Sequence, residues 1–368
     1  MAVNRRELLV SGLVTTACST MFPGKIHAQP IFAPKPKGWR TFEVITQIEV
    51  PTEGAPAQAW IPVPLMNESE WFQTLQNVAT SNGRHALWND PRYGAGVMHV
   101  HWSGSEPKGT ITVTSRIMTR DRAVDWSKPV KAQLSESHRQ LYTSPTEHIP
   151  LDGLVKQVSD EITESRKPRT DVEKVRAVYE WIIARTYRDA NVRGCGTGDI
   201  VALLKSGKLG GKCADLNALF VGLVRAQGIP ARDIYGIRVA PSVFGYKSLG
   251  ANSATITKAQ HCRAEVHLVG LGWVPMDPAD VRKVVLEESP GNLSADDPRV
   301  VAARQTLFGA WEANWMAYNS ADGIPLPGAK GGKPSFFMYP EAETVAGRLD
   351  CLDPDTFRYK ITSSEVVT

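Results

Sequence analysis

The chain has 368 residues, of which 42% are hydrophobic and 22% charged, with a formal net charge of +4. That is globular composition with ample material for a core, and the length predicts two domains or one domain with appendages. The positive excess is spread along the chain with no basic run interleaved with aromatics, which argues against a nucleic-acid-binding surface, and no apolar run reaches the length of a membrane span.

Residues 1–28 read as a targeting segment. Asn4-Arg5-Arg6-Glu7-Leu8-Leu9 is followed by a short apolar stretch from Leu8 to Ala17, and Ile26-His27-Ala28 ends on a small residue at an expected cleavage point. This order is the twin-arginine export pattern. The mature protein is therefore expected to be periplasmic or otherwise exported, with the twin-arginine translocase as its partner during export. Cys18 follows Thr15-Thr16-Ala17, which lacks the large aliphatic residue that precedes a lipidated cysteine. Removal of this segment leaves Cys195, Cys213, Cys262 and Cys351. An oxidising compartment favours disulfides among them, and three full pairings are open.

Residues 29–38, rich in Pro and Lys, read as a linker. From Trp39 the period is two: Phe42, Val44, Thr46, Ile48 and Val50 alternate with polar neighbours, and Gln58–Val63, Val97–Trp102 and Thr110–Met118 are strand-like as well. Residues 39–125 are thus expected to form an antiparallel β domain of sandwich type. In that stretch His99 and His101 share one strand face, but no third ligand stands nearby. They are read as surface residues, and no metal is assigned.

A second unit, 131–290, changes to helical spacing. Val172, Val175, Val178, Tyr179, Ile182 and Ile183 follow Thr170-Asp171 as caps. Leu216, Leu219, Phe220, Leu223 and Val224 then predict one apolar stripe on a helix that Gly228 ends and Pro230 keeps from continuing. Period two resumes at Tyr235, Ile237 and Val239 and again at Cys262, Ala264, Val266 and Leu268. Gly270-Leu271-Gly272 reads as a hairpin turn into Trp273–Met276. A helix on antiparallel strands is an α+β arrangement. Residues 291–368 are expected to form a C-terminal extension packing on this core. Within it Trp311, Trp315 and Tyr318 have helical spacing and are assigned to packing.

The chemistry is expected at Gly210-Gly211-Lys212-Cys213. Cys213 lies off the stripe, in the first turn of its helix, where unpartnered N–H groups and the helix dipole favour a thiolate. Gly210 and Gly211 are expected to leave room for a substrate backbone. A thiol nucleophile needs a base. His261 starts the strand Cys262–Leu268, on the face opposite its apolar residues, and His267 on the same face is the second candidate. A base needs an acceptor that fixes its tautomer. Asp277 follows the returning strand, and a turn at 269–272 would set it opposite Ala264, with Glu265 and Asp280 as competing acids.

GGKCADLNALFVGLVRAQGIPAR followed by HCRAEVHLVGLGWVPMDPAD resembles the transglutaminase-like superfamily. The resemblance covers about Asp171 to Asp280, a third of the chain. It implies a papain-like core behind the β domain, with Cys213 as nucleophile, His261 as general base and Asp277 as the orienting acid. Such proteins break or exchange amide bonds through a thioester without an organic cofactor, and bacterial members are frequently hydrolases or peptidases. A peptide, protein or cell-wall polymer is then the expected substrate. A catalytically silent binding module for such polymers is the alternative. Tyr187 is taken as a candidate oxyanion or supporting residue. The chain departs from the family pattern at His261-Cys262-Arg263, where Arg263 stands in place of an aromatic and Cys262 sits beside the base. A Cys213–Cys262 disulfide would silence the site; a Cys195–Cys351 bond would leave both of those thiols reduced.

Overall fold

Alternation along Arg40–Pro51 buries Phe42, Val44, Ile48 and Val50 on one side, as a strand covered on one face requires. The computed structural model describes residues 32–131 and 133–367. The twin-arginine pair, Cys18 and the expected cleavage point lie outside them. Two five-stranded antiparallel sheets arise from this pattern. The first runs in the order Tyr359–Val366, Arg40–Pro51, Lys108–Thr119, Phe72–Ser81, Asn67–Glu68. The second runs Gly347–Arg348, Glu341–Thr344, Ala57–Val63, Gly96–Trp102, Arg84–Asn89. Phe42, Val44 and Val113 from one sheet and Ala59, Ile61 and Val100 from the other share a single core, which makes a sandwich. His99 is half-buried on the strand face away from that core, where its ring stacks on Trp60 and Nε2 lies 3.1 Å from Gln58 Oε1, while His101 is exposed.

The C-terminal region is divided between the two units. Trp315–Asn319 joins the sheet of the second unit, whereas Glu341–Thr344 and Tyr359–Val366 return to the sandwich, the latter pairing with Arg40–Pro51 from Thr41↔Val366 to Ile48↔Tyr359. Without that last strand, Arg40–Pro51 would present an open edge of unpaired backbone groups. The helical spacing of Trp311, Trp315 and Tyr318 is a coincidence of numbering: they lie in or beside the strands Ala310–Trp311 and Trp315–Asn319. All three are buried, as packing requires.

The second unit centres on the helix Cys213–Arg225. It packs on a four-stranded antiparallel sheet in the order Gly272–Met276, Gln260–Leu268, Ala231–Arg238, Trp315–Asn319. The helices Gly153–Arg166 and Asp171–Arg185 cover its other side. Asp171–Arg185 begins as its sequence predicts. Thr170 Oγ1 accepts the Glu173 amide at 3.2 Å, and the Glu173 carboxylate accepts the Thr170 amide at 3.2 Å. The central helix differs from the expected one-sided stripe: it is buried all round, because layers lie on both of its sides. No helix among the described residues is long and apolar enough to cross a membrane.

The histidine strand Gln260–Leu268 is buried on both faces as well. Its apolar face meets the central helix, and its polar face meets the β domain. There Glu265 pairs with Arg122 and, at 2.7 Å, with Arg232, which also reaches Glu68 at 3.1 Å. Arg232 lies 4.2 Å over the Trp273 ring. This ionic ladder ties the sandwich to the second unit.

Candidate active site

The central helix starts at Cys213, with Lys212 as N-cap in an extended conformation. Asp215 builds that start. Its carboxylate accepts the amides of Lys212 at 3.0 Å, Thr197 at 2.8 Å and Gly198 at 3.1 Å, so the loop before the helix is wrapped onto its first turn. The Ala214 amide goes to the Cys195 carbonyl at 2.9 Å. Among the described residues the Cys213 amide has no acceptor, which leaves a donor beside its own sulfur. Gly210 and Gly211 do not open a path for substrate. A Cβ on Gly210 would come 2.3 Å from the Tyr187 ring, and one on Gly211 would come 2.6 Å from Asp215 Cβ. Both glycines serve internal packing.

His261 is the second residue of its strand, and its carbonyl accepts the Trp315 indole N–H at 2.9 Å. The hairpin loop is Val269-Gly270-Leu271, so Leu268 pairs with Gly272 and Ala264 with Met276. This register is one residue away from the expected one, and the difference decides the site. Side chains alternate faces. Opposite Ala264, Asp277 would have shared the apolar face; one step on, it falls on the face of Arg263 and His261. There Asp277 caps the helix Pro278–Glu287, accepting the Asp280 amide at 3.0 Å through Oδ1, while Oδ2 lies 2.8 Å from His261 Nε2. With Nε2 turned to the carboxylate, Nδ1 is the ring nitrogen left for the sulfur.

Asn217 stands one helical turn after Cys213. Its amide donates to the Cys262 carbonyl at 2.9 Å and to Asp277 Oδ1 at 3.3 Å, and its Oδ1 accepts the Ala279 amide at 3.3 Å. One side chain thus links the helix, the histidine strand and the acid. Asp280 is the second carboxylate near the imidazole, at 3.4 Å from Nε2, but Arg238 takes both its oxygens at 2.6 and 2.8 Å. Glu265 is committed to its two arginines. His267 packs edge-on against Trp273, and neither it nor Glu265 lines the cavity described next.

Cys213 and His261 open into one cavity of about 570 Å³, whose walls include Cys195, Lys212, Gln260 and Tyr339. Tyr187 is not among its walls. Its side chain is about 40% exposed and lies over Gly210, while its neighbour Arg188 faces the cavity. Arg263 is outside the cavity too. It lies 4.9 Å over the Trp315 ring and donates to the Glu312 carbonyl at 3.0 Å, so the departure from the family pattern leaves the wall of the cleft untouched.

The electrostatics favour an ion pair. Burial and Arg238 would lower His261, but Asp280 and Asp277 override them and bring the imidazole up to about 9. Cys213 is held well below an ordinary thiol by hydrogen bonds from Cys195 and Cys262 and, against the cost of burial, by His261. Cys195, by the hydrogen bond it gives Cys213 and by burial, and Cys262, by burial and the same kind of contact, are pushed well up and stay protonated. Asp277 is raised by burial and by Asp280; Asp280, despite burial, is held well down by Arg238 and His261. All four described cysteines are free thiols, so neither the Cys213–Cys262 nor the Cys195–Cys351 bond is formed. The Cys195 sulfur, on the same cavity wall as Cys213, also lies 3.3 Å from the Gln260 carbonyl.

His261, Asp277 and Asp280 are the donor cluster that could hold a metal among the described residues. Their lone pairs are already engaged by Arg238, Asn217, the Asp280 amide and one another, a set arranged to hold a proton rather than a cation. Asp277→Asn keeps the helix cap and removes the charge facing Nε2. It is expected to lower kcat by ~10²-fold with little change in KM. A kcat left at the parent value would pass the orienting role to Asp280.

A helix that starts at Cys213, packed on an antiparallel sheet that carries His261 and leads into Asp277, makes a papain-like α+β core. Residues 156–278 match the sequence model of the transglutaminase-like superfamily, so the chain carries a transglutaminase-like domain. The chain is 35% identical over 322 residues to an uncharacterised protein of Haemophilus influenzae, covering 83% of this chain and 86% of that one. The crystal structure of a candidate cysteine protease from Cytophaga hutchinsonii is 13% identical. It covers 91% of this chain and 93% of its own, with a TM-score of 0.53, and so has the same fold.

Asn217, Arg238 and Trp315 carry weight that the sequence alone did not reveal. Asn217 had a signal, a polar residue four positions after Cys213 in an otherwise apolar helix. Arg238 and Trp315 had none, since both act across strand pairings that join distant segments.

Proposed function

We propose that this protein is an exported cysteine hydrolase that cleaves amide or peptide bonds through a thioester on Cys213. The observation that supports this reading best is the shared cavity of Cys213 and His261, with His261 Nε2 held 2.8 Å from Asp277. The Cys213 thiolate attacks the carbonyl carbon, and the free Cys213 amide is placed to receive the developing oxyanion. The C–N bond breaks as the His261 imidazolium gives its proton to the leaving amine. Neutral His261 then takes a proton from water, which attacks the thioester and releases the acid and the thiolate. An amine in place of water would give acyl transfer; hydrolysis demands no second substrate site. Export rests on the twin-arginine pattern at Arg5-Arg6.

Iodoacetamide labelling of the reduced, folded protein between about pH 4 and about pH 9, with the modified cysteine mapped, tests the activated thiol. Cys213 is expected to label fast well below the pH at which a free thiol reacts. A rate no faster than a model thiol would favour the silent binding module. The two chemistries should also part on the alkaline side. His261 is raised to about 9, so its proton is present below that pH and lost above it. Hydrolysis, which needs the proton for the leaving amine, is expected to fall above about pH 9, whereas alkylation, which needs only the thiolate, holds its rate. Parallel decline of both would remove the proton-donor role from His261.

A further inference from the structure

The cavity around Cys213 has a charge pattern that its catalytic groups do not use. Arg188, Lys212, Arg238, Lys258 and Lys283 line it, and no Asp or Glu side chain does. Arg238 is matched by Asp280. Arg188 and Lys283 share one carboxylate, Glu287, which lies 3.6 Å from the Lys283 ammonium. Burial and the Arg238 charge pull the Lys283 ammonium down, as crowding among cations does. Lys212 and Lys258 form no ion pair with any described residue. Asp353 and Asp355 flank the lining Pro354, but neither side chain reaches the cavity, and Asp353 is occupied by the Thr356 hydroxyl at 2.7 Å.

Positive charge in excess within a concave wall concentrates anions there. The helix start adds to it, since its free amide end also favours negative charge. From this geometry we infer that the site takes an acidic peptide, one that carries a carboxylate next to the scissile amide, with Lys212 and Lys258 as the specificity-determining cations. This rests on the hydrolase reading for the bond that is cut, and the charge preference itself can be measured without turnover. A cavity of about 570 Å³ is within the range of small-ligand sites and admits a short peptide segment rather than a folded surface.

The test compares two alkylating probes of similar size on the full chain: iodoacetate, which is anionic, and iodoacetamide, which is neutral. The ratio of their rates at Cys213, mapped by mass spectrometry, is expected to exceed the ratio on a free model thiol by ~10-fold at low salt. Lys258→Gln, an exposed position whose change leaves packing alone, and Lys212→Gln should each bring the ratio toward that of the model thiol, as should added salt. A ratio at or below the model value, or one indifferent to both variants, overturns the inference even if Cys213 proves highly reactive. Slow labelling by both probes would instead count against the hydrolase reading while the ratio still reports the charge. With turnover in hand, peptides that differ only as Glu against Gln beside the cleaved bond should differ ~10-fold in kcat/KM; equal values would overturn the inference.

Discussion

Cys213→Ser is expected to lower kcat/KM by ~10³-fold or more while the folded state persists. The serine hydroxyl fits where the thiol was, and the contacts that build the helix start belong to Asp215 and the Cys195 carbonyl rather than to the sulfur. What is lost is the anion. Cys213 is depressed and His261 is raised to about 9. Such an imidazole can coexist with a thiolate, but an ordinary alcohol holds its proton far more tightly. Steady-state hydrolysis of a peptide panel, with circular dichroism and a melting curve alongside, reads both halves of the expectation. Loss of cooperative melting would assign the cysteine a structural duty, and residual turnover near the parent rate would place the nucleophile elsewhere.

Glu265→Ala should cost about 3–5 kcal/mol of stability at neutral pH. The Glu265 side chain is 0% exposed and is paired with Arg122 and Arg232, so its removal leaves Arg232, itself only 9% exposed, with the half-open Glu68 as its remaining carboxylate. The sign with pH follows from the shift. Burial would raise the Glu265 carboxyl, but Arg232 and Arg122 override it and hold it below its ordinary 4.5. Its contribution is therefore full above that value and is lost as the pH falls through the depressed folded value. Chemical denaturation of parent and variant should show the gap narrowing in acid. An unchanged gap would mean that the destabilisation comes from the cavity left by the side chain and not from the charge. Because the ladder joins the sandwich to the histidine strand, the variant should also lose turnover at temperatures where the parent keeps it.

Legibility varied with the range of the interaction. Four strands of the β domain and the start of the helix at Cys213 could be read directly, since period two and a helix start after small residues are local patterns. Phe72–Ser81 and Arg84–Asn89 could not, because these little-buried strands lack an alternating apolar face. The last strands were recognisable as strand-like but not as partners of Arg40–Pro51, because pairing joins residues more than three hundred positions apart. Gly210-Gly211 looked like an approach for substrate and proved to be filled by Tyr187 and Asp215. The cluster at Trp311, Trp315 and Tyr318 had the spacing of a helix, yet hydrogen bonding to Ala231–Arg238 drew its second half into a strand.

The types of the candidate site groups and their order along the chain were written in the sequence: a cysteine at a helix start, a histidine at a strand start, an aspartate before a proline. Tertiary structure decided whether they meet. A hairpin loop one residue shorter turns Asp277 from the apolar face to that of His261, and a shift of one in a strand reverses every side chain. The second carboxylate, its arginine and the positive wall of the cavity come from five separate segments. Charge at a point in space is a sum over neighbours, and only the fold says who the neighbours are.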